Sequence, residues 1–249
     1  MINDELSEYA EVHTSDELAL LARLSRETHL TQVYPRMLSG NLQGTFLRMV
    51  SAMIRPRRIL EIGTFTGYSA INLAKGLAIP PPIPSSGLVA PPPIPPLRGR
   101  GEGEGQLYTI EVNPELEEMI RRYIREAGLE KRIILHIGDA MQIIPTLKEQ
   151  WDLVYIDADK PNYLNYYRML FDHLRPGGFF LADNALWGGK VVQPRKKMDK
   201  DTLGIVEFNE FVQNDDRVEN LLLPIRDGII MIRKLPYTHI SHLPVPHWP

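Results

Sequence analysis

Between Arg58 and Ala182 the chain alternates short, largely apolar runs with longer segments whose apolar residues recur every three to four positions. Arg58-Ile-Leu-Glu-Ile-Gly63, Leu107-Tyr-Thr-Ile110, Ile133 to Ile137, Leu153 to Ile156 and Phe179 to Ala182 read as strands buried on both faces, the last opened by Pro176-Gly177-Gly178. Tyr68 to Leu77, Asn113 to Ala127 and Tyr163 to Leu174 carry the helical period. Asn113-Pro114 supplies an N-cap and first-turn pair there, and Gly128 a stop. Repeated units of this kind predict an α/β fold, a doubly wound and mostly parallel sheet.

Helices are predicted ahead of this region. Thr14-Ser-Asp-Glu17 has the form of a capping box, with Leu18, Leu21, Ala22 and Leu24 following at helical spacing. After Tyr34-Pro35 a second pattern puts Leu42, Phe46, Met49, Val50 and Met53 on one face and stops before Pro56. These N-terminal helices are expected to cover the sheet or a neighbouring subunit. Near the other end, Leu221-Leu-Leu-Pro-Ile225 and Ile229-Ile-Met-Ile232 flank Arg226-Asp227-Gly228, a hairpin signal that adds an antiparallel edge.

Two segments break the pattern. Residues 79–106 carry dense prolines followed by Arg98-Gly-Arg-Gly-Glu-Gly-Glu-Gly105, inside a helix-to-strand connection that normally takes a few residues. They read as a surface insertion of polyproline and loop character. Residues 236–249, with His239, His242 and His247 among prolines, read as an extended arm, because no i,i+4 pairing of the histidines supports a metal site.

Composition narrows the class. The 249 residues are 43% hydrophobic, enough for one good core, so a single domain is expected across 1–249. A net charge of −3 supplies no general basic field of the kind nucleic-acid binding draws on. Cysteine is absent, which excludes disulfides and thiolate metal sites. No stretch approaches the roughly 18 apolar residues of a membrane span, and the start, Met1-Ile-Asn-Asp-Glu-Leu-Ser-Glu8, lacks a signal pattern. A cytoplasmic protein without nucleic-acid or membrane partners is the expectation.

Polar residues stand where the apolar runs stop: Glu111 after the second strand in chain order, Asp157 and Asp183 after the last two. Ligands of an open parallel sheet bind outside the carboxyl ends of its strands, so these residues converge on one rim. Gly63-x-x-x-Gly67 lets the backbone pass close to a ligand at a helix N-terminus, though it is not the dinucleotide fingerprint. Glu111 is the acid that would grip ribose hydroxyls, displaced in sequence by the insertion. Asp157, Asp183 and Asn184 offer oxygen ligands only, which suits Mg²⁺, Ca²⁺ or Mn²⁺; taken singly, each strand end could equally be a helix cap or a turn.

Leu60-Glu-Ile-Gly-Thr-Phe-Thr-Gly-Tyr-Ser69, Ile156-Asp-Ala-Asp-Lys-Pro-Asn-Tyr163, Leu174-Arg-Pro-Gly-Gly178 and Asp183-Asn-Ala-Leu-Trp-Gly-Gly-Lys-Val191 together resemble the cation-dependent O-methyltransferases of the caffeoyl-CoA and catechol type. The likeness runs from about Met37 to Lys234. It implies a Rossmann-like methyltransferase fold, transfer of a methyl group from S-adenosylmethionine to a hydroxyl held on a divalent cation, and a homodimer. By that resemblance Glu61, Gly63, Thr64 and Ser69 surround the methionine part of the cofactor, and Met37 and Ser39 close over it. Glu111 holds the ribose, Asp139 and Ala140 lie at the adenine, and Asp159 lies near the cofactor. Asp157, Asp183 and Asn184 match metal ligands, and Lys160 matches a general base. Two departures stand out: Leu42 occupies a place where an acid often precedes Gln43-Gly44, and the insertion has no family counterpart.

The chemistry agrees with these residue types. A phenol with a pKa of about 10 is a poor nucleophile at neutral pH. A cation that takes both oxygens of a vicinal diol lowers that barrier, a lysine beside it removes the proton, and alignment of the sulfonium methyl supplies much of the rate. Lys160 could instead serve as an electrostatic partner of Asp157 or Asp159. Trp187 reads either as a stacking platform for an aromatic acceptor or as a loop anchor. Arg195-Lys-Lys197 reads as a solvated loop or as a steering patch for an acidic acceptor or a CoA phosphate. A nicotinamide-dependent oxidoreductase and a non-catalytic protein docking through its Pro-rich loop are the rival readings.

Overall fold

The computed structural model describes residues 4–78 and 104–236. Three helices come first: α1 (Asp4–Val12), α2 (Ala19–Thr31) and α3 (Gly40–Ile54). β1 (Arg58–Ile62), α4 (Tyr68–Lys75), β2 (Gln106–Glu111), α5 (Glu117–Glu126), β3 (Ile133–Ile137), the short α6 (Ala140–Ile143), β4 (Trp151–Ile156), α7 (Tyr163–Phe171) and β5 (Leu174–Ala182) follow in alternation. α8 (Lys200–Gln213), β6 (Val218–Leu223) and β7 (Ile229–Lys234) complete the order. The strands form one sheet in the order β3-β2-β1-β4-β5-β7-β6, parallel from β3 to β5 and antiparallel at β7 and β6.

Strand side chains alternate between two cores, as a sheet covered on both faces requires. Ile59, Leu107, Leu153, Tyr155 and Leu181 face α2, α3, α4 and α5. Leu60, Ile62, Val154, Ile156, Phe180 and Ala182 face α7 and α8. The period of two puts Asp183 on the face of Leu181, where its carboxylate meets Gln43 of α3, while Asp157, just past the end of β4, meets Lys160.

Several sequence expectations shift. The Thr14 capping box does not form: Thr14 Oγ1 donates back to Ala10 O at 2.7 Å behind α1, and Glu17 accepts from Tyr68 OH at 2.5 Å. α3 is rotated from its apolar reading, with Met49 and Met53 exposed and Gln43, Thr45 and Ser51 buried among its inward residues. Hydrogen bonds to polar partners set that face, which its apolarity does not mark. The predicted helix Tyr163 to Leu174 ends at Phe171, and β5 starts at Leu174, running through Pro176-Gly177-Gly178 instead of beginning after it. α8 fills a stretch for which the sequence reading names no element. Asp199 caps it, accepting from Thr202 N at 2.8 Å, and Ile205, Phe208 and Val212 bury its inner stripe.

Most of the Pro-rich insertion and the histidine-containing tail lie outside the described residues. The ends of the insertion are described: Gly105 N donates to Ala78 O at 3.1 Å, and Gln106 N to Arg57 O at 2.7 Å. The segment therefore leaves and re-enters at one place, beside the N-terminal ends of β1 and β2.

Candidate active site

The carboxyl ends of β1, β2, β4 and β5 open onto a cleft of about 1280 Å³. Pockets for one small molecule span roughly 300–1,000 Å³, so this one has room for two ligands side by side. β1 gives way to Gly63, where a Cβ would stand 2.0 Å from the Asp157 carbonyl oxygen. Hydrogen alone fits there, and the glycine turn can lie directly against the β4 end. Thr64 and Ser69, both buried, follow along that turn and the first turn of α4.

On the β2 side, Glu111 is buried with Oε2 accepting from Phe65 N at 2.7 Å and Oε1 from Asn113 N at 2.8 Å. Burial pushes its carboxyl above the usual range, while those N–H groups pull the other way. Asp139 caps α6 by accepting from Met141 N at 2.9 Å, with Ala140 next to it. Asp159 accepts from Tyr166 OH and from Asn162 Nδ2, both at 2.5 Å. Met37 is exposed and Ser39 buried in the segment ahead of α3, at the cleft's other border.

The two strand-end aspartates meet the lysine here. Lys160 Nζ lies 3.2 Å from Asp157 Oδ1 and donates to Tyr163 OH at 2.8 Å. Asp183 is buried; Oδ1 accepts from Asn184 N at 2.7 Å, and Oδ2 from Gln43 Nε2 at 2.6 Å and Tyr155 OH at 3.3 Å. Burial, and then the charge of Asp157, push the Asp183 pKa up to about 7. Asn184, in left-handed backbone at φ 58°, donates Nδ2 to Asp227 Oδ2 at 3.1 Å, which leaves its amide oxygen as the end available to a cation. Two carboxylates and an amide oxygen, with like charges forced together in a buried corner, fit a hard divalent cation. Among the described residues no group of three or more His, Cys, Asp or Glu forms a metal site, so water or substrate oxygens must complete any such coordination.

Of the sequence-predicted site residues, all but Glu61 line this one cleft. Glu61 sits behind the wall, wholly buried, accepting from Thr109 Oγ1 at 2.5 Å and hydrogen-bonded to Ser69, while its Oε1 makes no hydrogen bond. Burial first, and the Asp157 and Glu111 charges after it, push its pKa up to about 8. Trp187 lines the cleft with Lys160 and Lys190 over its ring at 5.5 and 5.8 Å. Arg195-Lys-Lys197 is not on the cleft wall. Arg195 pairs with Glu210 of α8 and belongs to a separate outer groove.

Gln43 and Tyr155 touch Asp183, Arg226 touches Gln43 and Asp227 touches Asn184, and the sequence assigned none of them a role. Tyr155 was within reach of it, two residues before Asp157 on a strand of period two. Asp227 and Arg226 read only as a hairpin turn; because β7 runs antiparallel beside β5, that turn lands on the rim where β5 ends.

The description "O-methyltransferase" belongs to the protein-family model that matches residues 11–83 and 102–235. The chain belongs to this O-methyltransferase family. The unmatched stretch between those two blocks falls inside the Pro-rich insertion. A caffeoyl-CoA O-methyltransferase 2 of Populus trichocarpa is 32% identical over 204 residues, covering 78% of this chain and 73% of the plant protein. The O-methyltransferase of Streptomyces achromogenes involved in tomaymycin synthesis, solved with S-adenosylmethionine, superposes with a TM-score of 0.76 at 27% identity. That match spans 94% of this chain and 100% of the bacterial one. The Bacillus cereus O-methyltransferase in complex with S-adenosylhomocysteine also gives 0.76, at 25% identity over 92% of this chain and 97% of that one. This O-methyltransferase thus shares both its sequence pattern and its mostly parallel sheet with enzymes that transfer methyl groups to oxygen.

Proposed function

We propose that this O-methyltransferase moves the sulfonium methyl of S-adenosylmethionine onto one hydroxyl of a vicinal dihydroxy-aromatic acceptor of catechol or caffeoyl type. The observation that carries this reading is the juxtaposition, in one two-ligand cleft, of the Asp157–Lys160 pair with buried Asp183 and Asn184. Glu111, with Asp139, Ala140 and Asp159 along the same wall, holds the nucleoside end of the cofactor. Gly63, Thr64 and Ser69, supported from behind by Glu61 and covered by Met37 and Ser39, hold its methionine end.

Asp157, Asp183 and Asn184 would hold Mg²⁺ or a similar hard cation, which when bound stabilises negative charge on the acceptor oxygens. Lys160 Nζ takes the proton of the attacking hydroxyl, and the tyrosine at 2.8 Å and Asp157 at 3.2 Å fix where that nitrogen stands. Trp187 covers the acceptor's ring from the loop after β5. The closed corner around Tyr155 and Tyr163 keeps water from the reacting oxygen, since both side chains are fully buried.

A homodimer is part of the same reading. Leu6, Tyr9 and Val12 on α1 and Met49 and Met53 on α3 are all more than half exposed, an apolar surface that a second copy would cover. Sedimentation or light scattering at micromolar concentration tests it, and a monomer there contradicts it.

The reaction is tested with methyl-labelled S-adenosylmethionine and a panel of acceptors. Label should pass to vicinal dihydroxy-aromatics, free or ester-linked, and not to their monohydroxy counterparts. Equal transfer to both classes would remove the chelated diol from the account.

A further inference from the structure

Asp183 is the most enclosed of the three oxygen ligands, so its orientation depends on its neighbours. Gln43 Nε2 reaches its Oδ2 at 2.6 Å and the Tyr155 hydroxyl at 3.0 Å, and Gln43 is 1% exposed. An amide has one donor end and one acceptor end, and the two look alike in shape. The carboxylate accepts only and so favours the amide nitrogen, and the group on the far side reinforces that choice. There, Arg226 Nη1 donates to Gln43 Oε1 at 3.2 Å. A guanidinium cannot accept a hydrogen bond. Only one amide orientation therefore satisfies both neighbours: oxygen toward Arg226, nitrogen toward Asp183.

Arg226 is itself held. The same nitrogen donates to Leu38 O at 3.0 Å and to Ser39 O, and its backbone sits at φ 50°, an uncommon left-handed conformation for a residue other than glycine. The next residue, Asp227, takes Asn184 Nδ2 at 3.1 Å and the Gly188 N–H. One hairpin turn thus reaches two of the three oxygen ligands, Asn184 directly and Asp183 through Gln43.

We propose that Arg226 and Gln43 are positioning residues for the cation site, Arg226 anchoring the Gln43 amide and Gln43 fixing the Asp183 carboxylate. This rests on the reading of Asp183 as a cation ligand. Without Arg226 the Gln43 oxygen loses the donor that anchors it on the far side, so the amide is held by Asp183 and Tyr155 alone and the carboxylate is less firmly placed. Partners that orient a metal ligand typically change metal affinity by roughly 10–100-fold when removed.

The test uses the full chain and Mn²⁺, with free Mn²⁺ read by electron paramagnetic resonance. S-adenosylhomocysteine affinity is measured by calorimetry in EDTA, and folding is followed by thermal melting. Gln43→Met and Arg226→Met should each bind Mn²⁺ about 10–100-fold more weakly than the unmodified protein. Gln43→Met should keep its S-adenosylhomocysteine affinity within about twofold, because its loss is confined to the cation corner. Arg226→Lys keeps a donor-only group facing Gln43 and should recover most of the Mn²⁺ affinity. Unmodified affinity in both methionine variants overturns the relay, and so does an Arg226→Lys protein as weak as Arg226→Met. If Gln43→Met does not fold, the two Arg226 variants decide. Asp157→Ala separates the two levels: Mn²⁺ binding that survives in it, or is absent from the unmodified chain, overturns the cation reading and the relay with it. Loss in Asp157→Ala alone overturns only the relay.

Discussion

Lys160 stands between two partners that suit different roles, a carboxylate for an ammonium and a tyrosine hydroxyl for a nitrogen of either charge. Arginine separates them, since it keeps the positive charge and cannot take a proton. Lys160→Arg and Lys160→Ala should both lose about 10²–10⁴ in kcat if the nitrogen is the general base. Recovery of turnover by arginine would assign Lys160 to charge alone. Glu61 supports a second prediction. Its folded pKa of about 8 lies above the ordinary 4.5, so it takes up a proton on folding. Its contribution is fully present below about pH 4.5 and is lost as pH rises toward 8. In chelator and without cofactor, Glu61→Gln, which mimics the protonated form, should gain on the unmodified protein in melting temperature between pH 6 and 8.5. A constant difference across that range would contradict the buried, proton-holding carboxyl. At this scale Asp157, Asp183 and Glu111 were legible because each stops an apolar strand. Gln43 and Arg226 were not, because their roles arise from α3 crossing β4 and from the position of the β6–β7 turn, which single residues do not announce.

Among the elements, α8 shows why one helix escaped a reading that found most of the others. Its N-terminus follows Arg195-Lys-Lys197, which reads as solvated loop, and Gly204 interrupts its interior at a propensity cost of about 1 kcal/mol relative to alanine. The structure supplies the reason for that glycine: a Cβ would lie 2.7 Å from the Lys160 carbonyl oxygen and from Pro161 Cα. α8 therefore presses directly on the turn that carries Lys160, backbone against backbone. Gly204→Ala should gain helix propensity yet displace Lys160, reducing kcat by about tenfold or more while S-adenosylhomocysteine affinity changes little. Unaltered kcat would show that the turn can yield without moving the lysine. The parallel strands, by contrast, were readable from apolar runs alone, since a strand buried on both faces has little polar punctuation to mislead.

For the molecule as a whole, the sheet order puts the carboxyl ends of β1, β2, β4 and β5 on one rim and the two described ends of the Pro-rich insertion, Ala78 and Gly105, at the other. Gly105 and Ala78 already meet through a hydrogen bond of 3.1 Å, so a short Gly-Asn link in place of residues 79–104 closes without strain on the strands. Such a deletion should leave methyl transfer within about twofold and melting temperature nearly unchanged, because a proline- and glycine-rich stretch adds little to a core. Loss of activity in a folded deletion protein would mean that the insertion reaches the cleft or a second subunit. The insertion's composition was plain in the sequence, and so was the antiparallel edge. What the sequence did not disclose is that β7, rather than β6, lies against β5, which is what carries Arg226 and Asp227 to the site.

The central claim is that methyl transfer depends on a hard cation held by Asp157, Asp183 and Asn184. The most direct measurement is the initial rate of label transfer from S-adenosylmethionine to a simple catechol by chelator-stripped enzyme, before and after Mg²⁺ or Mn²⁺ is restored. The rate should be near background in chelator and recover fully on adding either cation, with no recovery in Asp157→Ala. Full activity in rigorously metal-free buffer would contradict it.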